Sequence, residues 1–143
     1  MTSPALSPYA ASALVAAGGA IGAVARYHAG QLVANLAGPD NTFPWGTLSI
    51  NLFGSLLMGA LLGWLARGGI GGSIEGTSAD TMRLFIGVGL LGGFTTFSAF
   101  SAELVTLMHR GQAMMAFGYG AASLIAGMAA MILGLVIAQS AAS

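Results

Sequence analysis

Four apolar stretches, each long enough to cross a lipid bilayer as a helix, constrain this chain more than any other feature of it. A hydrocarbon core about 30 Å thick needs about 20 predominantly apolar residues at helical rise, and hydropathy meets that need over roughly 9–36, 45–66, 82–108 and 112–138. The expected fold is an all-α membrane protein of four transmembrane helices, a single integral membrane domain over residues 1–143. Composition agrees, since 56 % of the residues are apolar and only 6 % charged, well below the charged share of soluble domains. The first apolar run lacks a basic n-region and continues into more helical sequence, so it is read as structure and not as a signal peptide.

Between the first two spans, Gly38-Pro39-Asp40-Asn41 and Pro44 break the helix. A Gly/Ser-rich connection runs from Gly68 to Ser78 and ends near Asp80, which is suited to capping the third span. His109-Arg110-Gly111 makes the last and tightest turn. The cations are four arginines, Arg26, Arg67, Arg83 and Arg110. They form no basic patch, which excludes nucleic acid as a partner. They also divide evenly between the two sides of the membrane, so the orientation rule based on Lys and Arg gives no bias. Dual topology follows if Arg26 counts as a loop residue; a fixed but weakly encoded orientation follows if it does not. There is no cysteine, hence no disulfide, thiolate nucleophile or thiolate metal site.

Polar groups within a span are costly, and their positions are the first place to look for function. On span one, Gly18, Gly22, Arg26 and Gly30 fall at four-residue spacing, which places a guanidinium on a face that admits close backbone approach. A guanidinium snorkelling to the headgroups is the alternative. On span two, Thr47, Asn51, Ser55, Gly59 and Gly63 share one face, where a helix-to-helix hydrogen bond from Asn51 is the plain explanation. Span four carries Tyr119, Ser123 and Gly127 at the same spacing. Their hydroxyls face either an anion or, for the serine, a carbonyl of its own helix.

Span three is the most informative. Its middle, Gly89-Leu90-Leu91-Gly92-Gly93-Phe94-Thr95-Thr96-Phe97-Ser98-Ala99-Phe100, concentrates residues that disfavour continuous helix. A helix broken mid-membrane is expected there, because freed carbonyls are tolerated in a bilayer only where they line a cavity or hold an ion. A glycine packing face without a break is the alternative. Phe97 and Phe100 lie three residues apart on one face, as ordinary core rings or as ring edges presented to an anion. Glu103 continues that face by one turn, with a helix-end ion pair as its plainest role.

Taken together, Gly18-Gly19-Ala20-Ile21-Gly22-Ala23 with Arg26-Tyr27, Gly46-Thr47-Leu48 with Asn51 and Gly54, and the Gly92 to Phe100 stretch are similar to the CrcB/Fluc family of fluoride channels. The resemblance covers nearly the whole length. It implies an antiparallel, dual-topology homodimer with two narrow fluoride pores, in the inner membrane of a bacterial cell. It further implies that backbone carbonyls of Gly92 and Thr95 from both subunits hold a structural sodium ion (Na+) at the dimer interface. Phe97 and Phe100 would form an aromatic box along the fluoride path, Asn51 would support it, and Tyr119, Ser123 and Thr47 would supply a polar track. Arg26 would stand near a pore vestibule. The chain departs from the family at Gly127, where some members offer a further hydroxyl, and in the connection from Gly68 to Ala79.

The activity implied is passive export of fluoride, with no enzymatic step; the sequence holds no Ser/His/Asp set and no paired carboxylates. The rival expectation is a small proton-coupled exporter of dual topology, for which Glu103 alone could serve as the exchange site. A structural membrane subunit without transport is the third.

Overall fold

A computed structural model describes residues 6–66 and 77–141. Every regular element among them is helical. The first span is α1, Pro8–Ala37. Ser7 caps it by accepting from the Ala10 N–H at 3.2 Å, and Pro8 opens it, where a missing N–H costs nothing. Gly38, at φ 88°, closes it and donates its N–H to the Ala34 carbonyl; this left-handed backbone is the conformation that favours glycine. The Asn41 side chain accepts from the Phe43 N–H at 2.9 Å and shapes the turn into α2, Trp45–Ala66.

The third span is assembled from several pieces. It opens with α3, Thr77–Met82, continues as a π-helical segment over Arg83–Leu91, and passes through the short α4, Gly92–Phe94. It then resumes as α5, Phe97–His109, after which α6 runs over Ala113–Ser140. The span starts earlier than hydropathy placed it, at Thr77 and not near 82. Asp80 lies inside the first helical turn and not at the cap, where its charge still meets the positive end of the helix dipole. Arg67 and the connection over residues 68–76 lie outside the described residues. Four helical stretches are long and apolar enough to cross a membrane.

Bare backbone brings the helices together. A Cβ added at Gly22 would collide with the Leu90 carbonyl, and one at Gly18 with the Phe85 carbonyl, so α1 lies directly on the π-helical segment. One added at Gly93 would stand 2.6 Å from the Gly19 carbonyl oxygen. The same device joins α2 to α6, the most extensive packing in the chain. A Cβ at Gly59 would strike the Met131 carbonyl, and one at Gly134 the Leu56 carbonyl. Lipid tails are as apolar as leucine, so helices in a membrane associate through this kind of close fit and through polar contacts.

The interior is small. Leu48, Leu107, Ala116 and Tyr119 are buried, with Phe100 and Leu104 packed against them. Large apolar side chains such as Ile21, Phe53, Val88, Leu124 and Ile132 are exposed. In water such a surface would be an aggregation hazard, whereas in a bilayer it is the solvated face.

Candidate functional site

The irregular backbone of the third span is the centre of the site. Thr95 (φ −80°, ψ 159°) and Thr96 (φ −151°, ψ 120°) are extended and stand between α4 and α5. An extended pair inside a span would strand peptide groups with no water to satisfy them. Each group has a partner instead. The Thr95 N–H and hydroxyl both donate to the Leu91 carbonyl, at 3.0 and 2.9 Å. The Thr96 N–H donates to Asn51 Oδ1 at 2.8 Å, and the Thr96 carbonyl accepts from Asn51 Nδ2 at 3.0 Å. Thr96 Oγ1 accepts from the Ala99 N–H and so caps α5. Arg26 Nη1 donates to the Thr95 carbonyl over 3.4 Å. The same guanidinium borders an open cavity of about 1080 Å³ that Thr47, Thr96 and Glu103 also line.

In a continuous helix the Thr96 N–H would go to the carbonyl four residues back, that of Gly92. Asn51 takes it instead, leaving the Gly92 carbonyl without that partner. Gly54 makes room on the other side, since a Cβ there would run into Thr95 Cγ2.

One helical turn beyond Asn51 toward the start of α2, a second polar cluster forms around Glu103. Thr47 Oγ1 donates to one carboxylate oxygen at 2.6 Å and Tyr119 Oη to the other at 2.7 Å. Tyr119 is fully buried and Thr47 nearly so, while Glu103 is half-buried. The helix-end ion pair expected for Glu103 is thus replaced by two neutral donors from α2 and α6. No spacing in the sequence pointed to this, because Thr47 is 56 positions away and Tyr119 is 16.

Aromatic rings connect the two clusters. The Phe97 and Phe100 centroids are 5.7 Å apart, and Phe100 lies 5.2 Å from the Tyr119 ring at 57°. Phe43 meets the same tyrosine edge-on at 5.5 Å. Phe97 itself is 78 % exposed. Ser123, one turn along α6 from Tyr119, keeps its hydroxyl buried without a hydrogen-bond partner, so it does not bond back to its own helix. A cavity of about 340 Å³ runs beside Asn51, Ser55, Phe97, Phe100 and Ser123.

Of the residues singled out in the sequence, Thr47, Asn51, Phe100 and Tyr119 meet around Glu103 and Thr96. Phe97 borders them with its ring outward, and Arg26 approaches Thr95 from α1. Gly92 and Thr95 sit at the irregular segment. No group of three or more His, Cys, Asp or Glu occurs among the described residues, so any metal there would depend on other oxygens.

Membrane-length helices that gather hydroxyls, an amide and a carboxylate around irregular backbone define a polytopic protein of the kind that handles ions within the bilayer. The chain belongs to the CrcB-like family: the model described as "CrcB-like protein, Camphor Resistance (CrcB)" matches residues 13–135. Among its relatives is the fluoride-specific ion channel FluC of Novosphingobium aromaticivorans, 53 % identical over 132 residues, which cover 92 % of this chain and 98 % of that protein. Fluoride-specific ion channels FluC of Agrobacterium fabrum (48 % identical, 90 % of this chain and 95 % of that one) and Caulobacter vibrioides (45 %, 88 % and 93 %) are also similar. Their names are those of channels and not of enzymes. With four membrane-length helices, this chain is a multi-pass bacterial membrane protein.

Proposed function

We propose that this chain is a fluoride channel that exports the ion passively from the bacterial cytoplasm across the inner membrane. The reading is carried by likeness to fluoride-specific channels over nearly the full length of both proteins. The geometry supports it chemically: Thr47, Tyr119 and Ser123 supply O–H donors, and Phe97 and Phe100 supply positive ring edges, the groups that a fluoride path requires. Fluoride is small and strongly hydrated, so a path that replaces its shell with fixed donors discriminates against larger halides by size.

Fluoride enters cells as neutral HF and ionises in the less acidic interior. Its exit then follows the membrane voltage, about 2.3 kcal/mol per charge per 100 mV. Arg26 contributes a positive charge near Thr95 without lying in the column of hydroxyls, so it attracts the anion without trapping it. Glu103 takes up the Thr47 and Tyr119 hydroxyls in the present arrangement. Fluoride reaching that level competes with the carboxylate for the same two donors.

The functional unit we propose is an antiparallel homodimer. The cavity beside Asn51 and Ser123 opens on the protein's surface, and a second copy would shield its few polar groups from lipid. With Arg26 engaged deep within span one, the arginines near span ends are Arg67 and Arg83 against Arg110, a bias of a single residue that leaves orientation weakly specified. In the dimer, Thr95 and Thr96 would lie at mid-membrane as a break in the third helix. The Gly92 carbonyl, deprived of its helical partner, and the Thr95 carbonyl, with one lone pair unused, fit the oxygen-only donor set that a hard cation such as sodium takes. Two such oxygens per chain require the second copy to complete a shell. The nearby guanidinium opposes a cation, so sodium would serve only as a clamp between subunits.

Purified protein in liposomes loaded with potassium fluoride tests the channel reading: valinomycin should trigger rapid fluoride release, with chloride retained under matched conditions. Release no faster than from empty vesicles would contradict it.

A further inference from the structure

Hydroxyls inside a membrane helix ordinarily satisfy themselves on the carbonyl one turn back. Thr95, Ser101, Thr106 and Ser140 all do so, at 2.9, 2.9, 2.8 and 2.6 Å. Two do not. Ser123 Oγ on α6 is buried and unbonded. Ser55, one turn beyond Asn51 on α2, forms no such bond among the described residues either.

The two serines face the same space. Both border the cavity of about 340 Å³ beside Phe97 and Phe100, and both border a further one of about 390 Å³ that Gly127 and Met131 also line. Along α6 the hydroxyls come at one-turn intervals, at Tyr119 and Ser123, and the next position of that face is Gly127, which has none. The gap is filled from the neighbouring helix: a Cβ at Gly127 would stand 3.9 Å from Ser55 Oγ. A desolvated anion leaving Ser123 would otherwise meet only Leu124, Met128, Met131 and Ile132, and an unsolvated charge among apolar groups is strongly disfavoured.

We propose that Ser55 lines the pore, donating its O–H to the anion after Ser123, so that the polar track crosses from α6 to α2 at Gly127. The inference rests on the fluoride-channel reading above. It commits to a small anion that accepts hydrogen bonds and has lost part of its water. The other role open to Ser55 is that of a small packing residue between α2 and α6, a role in which its hydroxyl would be dispensable.

Isosteric substitutions separate the two roles, because threonine and valine match in shape and differ in the hydroxyl. Full-length protein in liposomes is assayed with a fluoride electrode. Ser55→Thr should keep the rate of the unsubstituted channel within about twofold, and Ser55→Val should slow it by roughly tenfold or more, as loss of a hydrogen bond to a charged partner predicts. Adding Gly127→Ser to Ser55→Val should restore most of the flux by returning the hydroxyl from α6. Thr106→Val, which removes a hydroxyl already bonded to its own helix, should leave the rate unchanged. If either bulkier variant fails to purify, Ser55→Gly against Ser55→Gly with Gly127→Ser gives the same comparison. Equal rates with and without the hydroxyl at position 55, or a double variant no faster than its parent, would overturn the inference. Absence of fluoride release from the unsubstituted protein would instead overturn the channel reading itself.

Discussion

Asn51 and Thr96 exchange two hydrogen bonds, amide side chain to peptide backbone, at 3.0 and 2.8 Å. The carboxamide carries a donor and an acceptor in fixed geometry, and so imitates a neighbouring peptide. It satisfies a stretch of the third span that has left the helical ladder.

Replacing Asn51 with leucine therefore leaves the part-buried N–H and carbonyl of Thr96 without their partner, at roughly 1–3 kcal/mol for each group. The Asn51→Leu protein should unfold at a markedly lower temperature in detergent, followed by size-exclusion chromatography after heating, and should pass little fluoride. Asn51→Ala, whose smaller side chain leaves space for water, should be milder. A leucine variant as stable as the unsubstituted protein would mean that Thr96 finds other partners.

Close approach of α1 to the π-helical segment makes Gly22 intolerant of any side chain, since the added Cβ would meet the Leu90 carbonyl. Gly22→Ala should destabilise by about 1–3 kcal/mol or more, as overpacking of rigid backbone does. Gly19→Ala on the same helix meets only the Gly89 carbonyl oxygen, at 3.9 Å, an ordinary contact. Thermal stability in detergent should separate the two alanines clearly.

Glu103 discriminates a channel from a proton-coupled exporter. Glutamine retains one acceptor for a hydroxyl and cannot carry the exchanged proton. Glu103→Gln should still release fluoride down a voltage gradient, at a rate indifferent to an imposed pH gradient. Complete loss of transport, with the protein folded, would favour the exporter.

Phe97 and Phe100 should part company when each is changed to isoleucine. Phe97 is 78 % exposed and packs chiefly on Phe100, so Phe97→Ile should lower fluoride flux with little change in stability. Phe100 also packs against Tyr119 at 5.2 Å, and its replacement should lower both. Measuring efflux and melting on the same preparations gives each variant a point in two dimensions, and coincident points would count against separate roles.

Length and hydropathy were enough to give four helical spans, because both are local quantities and a bilayer accepts few backbone arrangements. Spacing along single helices also identified the small-residue faces, such as Gly18 with Gly22 and Gly59 with Gly63, since residues four apart share a face whatever surrounds them. The π-helical hydrogen bonding of Arg83–Leu91 was not legible: it belongs to a backbone fitted against α1 through Gly18 and Gly22, and span three alone does not contain that contact. Nor was the partnership of Glu103 with Thr47 and Tyr119, which joins three helices. Whether Ser123 spends its hydroxyl on its own helix was undecided until the tertiary structure placed it beside a cavity with no bond made. Such pairings depend on how far each helix is rotated and how closely two axes approach, and only the packing of the whole bundle decides those.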